Sequence, residues 1–86
     1  MYYVYIVECA DNTFYAGIAI DVERRIQEHN SLGKGAKYTR SRRPVELVYQ
    51  EVCLDRSKAS KREYEIKKRM TRADKIKLIN SFVSLK

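Results

Sequence analysis

The amino-acid sequence predicts a small α/β domain, in which a three-stranded antiparallel sheet is flanked by about three helices in the order β-β-α-β-α-α. Two short runs rich in tyrosine, valine and isoleucine, Tyr2–Cys9 and Phe14–Ile18, are separated by a turn signal at residues 10–12, as in a β-hairpin. A third run of this kind covers Val45–Cys53. The other segments carry helix caps and helical spacing, so we expect helices to cover the sheet.

The first predicted helix follows the hairpin. Asp21 is an N-cap before a helical stretch from Val22 to His29, which ends near residues 30–33. Residues 31–43 contain two glycines and a group of basic residues. They are predicted to form a loop with room for a turn of helix.

Two more helices follow the third strand. Asp55 caps a helix that runs to about Met70, and Thr71 with Asp74 resembles a capping box that starts a last helix, to about Val83. The residues of this last helix that are predicted to face the core are Ala73, Ile76, Ile79, Phe82 and Val83.

The length of 86 residues fits one domain. We expect residues 1–79 to form it, and residues 80–86 to be the end of the last helix and a tail. Apolar runs stop well before the ~18 residues that a membrane helix needs, and no basic segment precedes the first strand. Cys9 and Cys53 are too few for a disulfide framework or a zinc site, so we expect core thiols in a cytoplasmic protein without membrane contact.

The charge is strongly positive and clustered. There are 18 Lys and Arg against 11 Asp and Glu, a net charge of +7. The first cluster consists of Lys34, Lys37, Arg40, Arg42 and Arg43, and the second lies between residues 56 and 77. Solvated helix faces are one explanation, but clustering at this net charge favours a polyanion such as nucleic acid as partner.

A carboxylate interrupts the apolar stripe of the second predicted helix. Glu63 lies four residues after Ala59 and three before Ile66, on the face that is expected to pack against the sheet. A carboxylate there costs several kcal/mol of desolvation unless it is paired or binds a metal. A salt bridge to a nearby base and a solvated edge of the stripe are the structural alternatives.

The first helix carries a similar irregularity. Val22 and Ile26 define its buried side, and Arg25 and His29 flank or share that side. Both residues also have a purely structural explanation. His29 would then be a half-buried imidazole with its hydrogen bonds satisfied, and Arg25 would lie at the edge of the buried side with only its aliphatic stem covered.

Strand parity adds two tyrosines to this set. Tyr5 shares one face of the first strand with Tyr3 and Val7, and Tyr15 shares a face of the second strand with Gly17. Gly17 indicates a close backbone approach or a bend. Taken singly, each tyrosine is also explained as a packing residue without a role in a site, since tyrosine is a good strand former.

Together these residue types suit phosphodiester hydrolysis. That reaction needs a base for the attacking water, a cation for the charge on phosphorus and a carboxylate for a divalent metal. The sequence contains no serine–histidine–aspartate order, Walker loop or dinucleotide fingerprint.

The order of the motifs resembles the GIY-YIG nuclease superfamily, in particular its small stand-alone bacterial members, over residues 1 to about 79. The similar segments are Tyr3-Val4-Tyr5 for the first motif, Tyr15-Ala16-Gly17 for the second, residues 21–29 for the following helix, residues 59–67 for the acidic helix, and residues 35–40 with 43–45 for a segment specific to the stand-alone group. Tyr3 and Ala16 depart from the glycine and isoleucine of the family motifs. No asparagine that follows the family's acidic helix is matched near Lys75.

The resemblance implies a role for each candidate residue. Arg25 matches the arginine that contacts the scissile phosphate, and Glu63 matches the single glutamate that holds Mg²⁺ or Mn²⁺. Tyr5 and Tyr15 match the active-site tyrosines, of which one serves as the general base or orients it. His29 matches a position that the family fills with histidine or tyrosine.

Three hypotheses for function follow. The first is a metal-dependent endonuclease domain that cleaves DNA by in-line attack of water with little sequence preference, in which a protein partner supplies targeting. The second is a non-catalytic DNA- or RNA-binding module with the nuclease fold, and the third is a structural interaction domain. The sequence predicts neither the oligomeric state nor the substrate structure.

Overall fold

The computed structural model describes residues 1–31 and 35–84, the last two by their backbone alone. The elements in chain order are strand β1 (Tyr2–Glu8), strand β2 (Phe14–Ala19), helix α1 (Val22–Asn30), helix α2 (Lys37–Arg40), strand β3 (Glu46–Cys53), helix α3 (Arg56–Tyr64), a π-helical segment (Glu65–Arg69) and helix α4 (Arg72–Ser84). The predicted α/β fold with a three-stranded antiparallel sheet is confirmed. The short helix α2 is an addition, so the order is β-β-α-α-β-α-α.

The sheet has the order β2-β1-β3, with β1 in the middle. Both neighbours are antiparallel to β1. The register against β3 shifts between Ile6, which is opposite Tyr49, and Val7, which is opposite Leu47. This bulge leaves β3 with one extra residue, Val48, and both Val48 and Tyr49 pack on the same core.

The sheet separates two cores. One contains Val4 and Ile6 of β1 and is covered by Ala59 of α3, Ile66 of the π-helical segment and apolar residues of α4. The other contains Tyr5 and Val7 and lies under α1 and the segment that precedes β3. Alternate residues of β1 therefore enter different cores, as the strand parity predicted.

The predicted helix caps are present. The carboxylate of Asp21 accepts the backbone N–H of Arg24 at 3.1 Å, and Asp55 accepts that of Lys58 at 2.8 Å. Thr71 and Asp74 form both hydrogen bonds of a capping box, at 3.1 and 3.2 Å.

The second predicted helix is less regular than expected. α3 ends at Tyr64, and the chain continues as one wide π turn, in which the Met70 N–H donates to the Glu65 carbonyl at 3.1 Å. Ala59 and Ile66 are buried as predicted. π turns are common at functional sites, and this one carries Lys67 and Lys68.

The predicted core face of the last helix was wrong in part. Ala73 is exposed and Ile76 is 39% exposed, whereas Leu78 packs on the core beside Ile79 and Phe82. The side chain of Val83 lies outside the described residues. α4 contacts mainly β3, an outer strand, so it buries only a narrow stripe.

Two further expectations from the sequence concern the cysteines and membrane-spanning helices. Cys9 is buried and Cys53 is half-buried, and both are free thiols. Among the described helices, none is both long and apolar enough to cross a bilayer.

Candidate active site

The candidate site is built around Tyr5, which lies across a glycine. Tyr5 of β1 is opposite Gly17 of β2 in the sheet. A Cβ atom at Gly17 would overlap the hydroxyl oxygen of Tyr5 and lie 2.5 Å from its Cζ. The predicted close approach at Gly17 is therefore confirmed, and it is the absence of a side chain that lets the tyrosine ring reach α1.

A chain of hydrogen bonds leads from Tyr5 into the protein. Its hydroxyl lies 2.7 Å from Nε2 of His29, and Nδ1 of His29 lies 2.9 Å from Oγ1 of Thr39. The Thr39 hydroxyl in turn donates to the carbonyl of Ala36 at 3.0 Å. The two rings meet edge to face, with centroids 5.9 Å apart.

The direction of these bonds follows from Thr39, whose hydroxyl proton is donated to the Ala36 carbonyl, so that Oγ1 accepts from His29. Nδ1 therefore carries the ring proton, and Nε2 of the neutral imidazole accepts the proton of the buried Tyr5 hydroxyl. The backbone N–H of Ala36 also approaches Nδ1, but at 3.4 Å this contact is marginal.

Burial decides the protonation states of His29 and Tyr5 in this hydrogen-bonded network. It lowers the pKa of His29 to about 4, and the positive charge of Arg25 acts in the same direction. Burial also raises the pKa of Tyr5 to about 12, against the opposing effect of the Arg25 hydrogen bond. At neutral pH His29 is therefore an uncharged imidazole and Tyr5 is an uncharged phenol.

The loop before β3 holds His29 in place. A Cβ at Gly35 would lie 2.9 Å from Cα of His29, so glycine lets the start of α2 pack on α1. Thr39 is completely buried beside the imidazole. Thr39 was not predicted as a site residue, although it lies in the segment that resembles the stand-alone group.

Tyr15 lies on the other side of His29. Its ring meets the imidazole edge to face with centroids 5.5 Å apart, and stacks on Tyr38 at 5.7 Å with an angle of 20° between the planes. The ammonium group of Lys67 lies 4.9 Å from the centroid of the same ring. The π-helical segment thus contacts the second tyrosine. Neither Tyr38 nor Lys67 was predicted as a site residue from the sequence.

Arg25 is held from two sides but remains accessible. Its Nη1 donates to the Glu28 carboxylate at 2.9 Å, and its guanidinium also contacts Tyr5. The hydrogen bond to Glu28 raises the pKa of Arg25, so its charge is permanent. The side chain is 31% exposed, compared with 77% for its neighbour Arg24.

Glu63 approaches the site from α3. Its side chain is 26% exposed, and its Oε2 lies 3.6 Å from Nζ of Lys67, which is too long for a strong hydrogen bond. Its negative charge contributes to the raised pKa of Tyr5, although less than burial does. The expected partial burial of Glu63 is therefore observed.

The donor set at Glu63 fits a sparsely ligated divalent ion. In the described parts of the chain, no three histidine, cysteine, aspartate or glutamate side chains come close enough to share a metal. One carboxylate is nevertheless sufficient for Mg²⁺, which keeps several waters and takes its other ligands from substrate phosphate.

In the basic cluster after α1, some side chains are bonded within the protein and others are exposed to solvent. The Arg42 guanidinium donates to Asp11 at 3.0 Å and to the Tyr38 carbonyl at 2.8 Å, and it also covers the Tyr38 ring. Lys37 and Arg40 are exposed. Arg43 is half-buried and donates to the Arg40 carbonyl at 3.0 Å. Lys34 lies outside the described residues.

Comparison with known proteins identifies the family. The model of the GIY-YIG catalytic domain matches residues 1–77 of the chain. The chain belongs to the GIY-YIG family. The five candidate residues of this GIY-YIG domain all lie inside the matched range. Tyr5 and Tyr15 contact the His29 ring, Arg25 lies beside Tyr5, and Lys67 lies between Glu63 and Tyr15.

Individual relatives are small bacterial proteins. The GIY-YIG domain is 68% identical over 66 residues to a UPF0213 protein of Desulfotalea psychrophila, which covers 77% of this chain and 60% of that protein. It is 56% identical over 79 residues to a UPF0213 protein of Staphylococcus saprophyticus, covering 92% and 94% of the two chains.

Two solved structures are similar. A solution NMR structure of a UPF0213 protein from Bacillus halodurans is 47% identical, with a TM-score of 0.57, and covers all of this chain and 86% of its own. A solution NMR structure of a protein from E. faecalis is 41% identical, with a TM-score of 0.62, and covers 94% of this chain and 84% of its own.

Proposed function

We propose that this GIY-YIG domain is a divalent-metal-dependent endonuclease, which hydrolyses DNA phosphodiester bonds with little sequence preference and acts in the cytoplasm. The observation that carries the proposal is the position of Arg25. Its permanent charge is fixed by Tyr5 and Glu28 and still faces solvent. A fixed, accessible guanidinium is the group that best stabilises the charge that develops on phosphorus during in-line attack.

We assign the general base to Tyr15 and a positioning role to Tyr5. The Tyr5 hydroxyl is enclosed and hydrogen-bonded to His29, and burial raises its pKa to about 12. Tyr15 is half-buried and lies in the wall of an open pocket, where water has access to it. Tyr5, His29 and Thr39 then form a neutral support that fixes the orientation of Arg25.

Glu63 would hold the divalent ion. When bound, Mg²⁺ or Mn²⁺ supplies a Lewis acid that neutralises charge on the phosphate oxygens. The Lys67 ammonium now faces the carboxylate at 3.6 Å. Because this side chain is long and flexible, it can move away from Glu63 without a change in the backbone.

DNA would approach along the basic cluster. Lys37 and Arg40 are exposed, and Arg43 lies beside them, so these side chains suit contacts with backbone phosphates. Such contacts position DNA but carry no sequence information. Arg42 is engaged with Asp11 and Tyr38, so we expect it to hold the loop rather than the substrate.

A non-catalytic DNA- or RNA-binding module is the second candidate. The ion pair between Glu63 and Lys67 favours it, because a binding module has no need of a carboxylate free for metal. The two candidates differ in one measurable property, which is cleavage that depends on metal and on Glu63.

The test is a cleavage assay on supercoiled and branched DNA with Mg²⁺ or Mn²⁺. Arg25→Ala should lower the rate by about 10²- to 10³-fold, the effect of removing one donor to a developing oxyanion. Glu63→Gln should abolish cleavage while DNA binding persists. Arg24→Ala is the matched control, because Arg24 is the adjacent arginine and points to solvent. Binding without cleavage by the wild type would support the second candidate and refute the first.

A further inference from the structure

A pocket of about 320 Å³ opens beside the candidate active site, at the outer edge of the sheet. Its floor includes Ile6 and Ile66, and its aromatic walls are Phe14, Tyr15 and Tyr38. Pockets that bind small ligands begin at about 300 Å³ and are lined mainly by apolar and aromatic side chains. The volume and the aromatic lining therefore suit a flat aromatic group.

The entrance of the pocket is cationic. Lys67, Lys68 and Lys75 contribute to its lining, and the Arg72 guanidinium lies 4.7 Å above the Phe14 ring. Among the described residues, no ion pair involves Lys68 or Lys75. An aromatic interior whose rim carries Lys68 and Lys75 beside the paired Lys67 favours an aromatic ligand that carries negative charge.

We propose that this pocket binds one unstacked nucleobase of single-stranded DNA, and that Lys68 and Lys75 contact the flanking phosphates. A nucleotide combines a flat ring with an adjacent anion, and proteins that bind single strands hold bases on aromatic side chains within a positive groove. In a duplex the bases stay stacked, and each would have to be flipped out at a cost before it could enter.

The pocket and the catalytic cluster share a wall. Tyr15 contacts His29 on one side and lines the pocket on the other, and Lys67 connects the pocket to Glu63. A base in the pocket would therefore place its neighbouring phosphate next to the cluster. This inference rests on the proposed function for its substrate, and it defines that substrate as an unpaired stretch of DNA.

The test compares two labelled strands of about eight nucleotides with equal charge, one of thymidines and one abasic throughout. Affinities are measured by fluorescence anisotropy in EDTA, so that cleavage does not intervene. The thymidine strand should bind about 5- to 150-fold more tightly, which is the range for stacking of one base. Equal affinities for the two strands would overturn the proposal.

Variants separate the rings from the charges. Tyr38→Leu should remove most of the difference between the two strands, and Tyr38→Phe, which keeps the ring, should retain it. Lys68→Met with Lys75→Met should weaken binding of the thymidine strand more than that of a duplex. Lys58→Met is the matched control, because Lys58 is an exposed lysine of α3 outside the pocket lining. Equal weakening of single strand and duplex by the double variant would contradict the assignment of the two lysines.

The outcomes also distinguish this inference from the nuclease proposal. If base-dependent binding is found but no metal supports cleavage, the pocket stands and the nuclease proposal fails. If metal-dependent cleavage is found but the two strands bind equally, the nuclease proposal stands and the pocket assignment fails.

Discussion

The two faces of the sheet use alternate residues of the same strand, but they bury different chemistry. On one face Val4 and Ile6 meet the apolar side chains of α3 and α4. On the other face Tyr5 reaches a completely buried histidine and threonine. The first face contributes stability through apolar burial, whereas the second maintains a polar network, which is costly unless every group has a partner.

Both faces meet at β2. Gly17 of this strand makes room for Tyr5 on the polar side, and Ala16 packs in the apolar core. Tyr15 lies between them, in contact with His29 and with Lys67 of the π-helical segment. The candidate active site therefore extends from Tyr5 in the middle strand to Tyr15 in the outer strand β2, where Lys67 reaches it.

The largest effect on stability is expected on the apolar face. Ile66→Ala should lower the free energy of unfolding by about 2–5 kcal/mol, because Ile66 is completely buried and its truncation leaves a cavity. Urea denaturation measures this change. A loss below ~1 kcal/mol would mean that the apolar face does not dominate stability.

The polar face should be sensitive to a single hydroxyl. Thr39→Val keeps the shape but leaves the proton on Nδ1 of His29 without an acceptor, so we expect a loss of about 1–3 kcal/mol. Thr39→Ser, which keeps the hydroxyl, should lose less. Equal stability of the valine variant and the wild type would show that the hydrogen-bond chain contributes nothing.

The polar face should also make stability depend on pH. Folding lowers the pKa of His29 from 6.5 to about 4, so between these values the unfolded chain binds a proton that the native protein does not. Stability should therefore fall by about 2 kcal/mol from about pH 7.5 to about pH 5. Denaturation curves at both pH values measure this loss, and His29→Gln should remove most of it. The same pH dependence in the variant would assign the effect to other groups.

The smallest effect is expected at the boundary of the two faces. Glu63 is paired only loosely with Lys67, so Glu63→Gln should change the stability of the metal-free protein by no more than about 0.5 kcal/mol. Stabilisation by Mg²⁺ or Mn²⁺ should disappear in the same variant. Thermal melts with and without metal measure both. A melting temperature several degrees lower without metal would make Glu63 a structural ion-pair partner.

Local patterns in the sequence were sufficient to predict much of the fold. The alternation along β1 predicted which side chains share a face, and the caps at Asp21, Asp55 and Thr71 predicted where helices begin. The core face of α4 was predicted less well: Ala73 and Ile76 fit a helical stripe, yet the stripe that packs includes Leu78. A helix against an outer strand buries few residues, and spacing alone does not distinguish between two adjacent stripes.

The sequence by itself determined the residue types and the order of elements from which the site is built. Strand alternation and helical spacing are local properties, so they identified Tyr5, Tyr15, Arg25, His29 and Glu63 as the residues to examine. Only the tertiary structure decided that Thr39 holds the imidazole, that Lys67 joins Glu63 to Tyr15, and that lysines of two elements surround one aromatic pocket. These contacts join residues far apart along the chain, and they depend on how α2 and the π turn pack against the sheet.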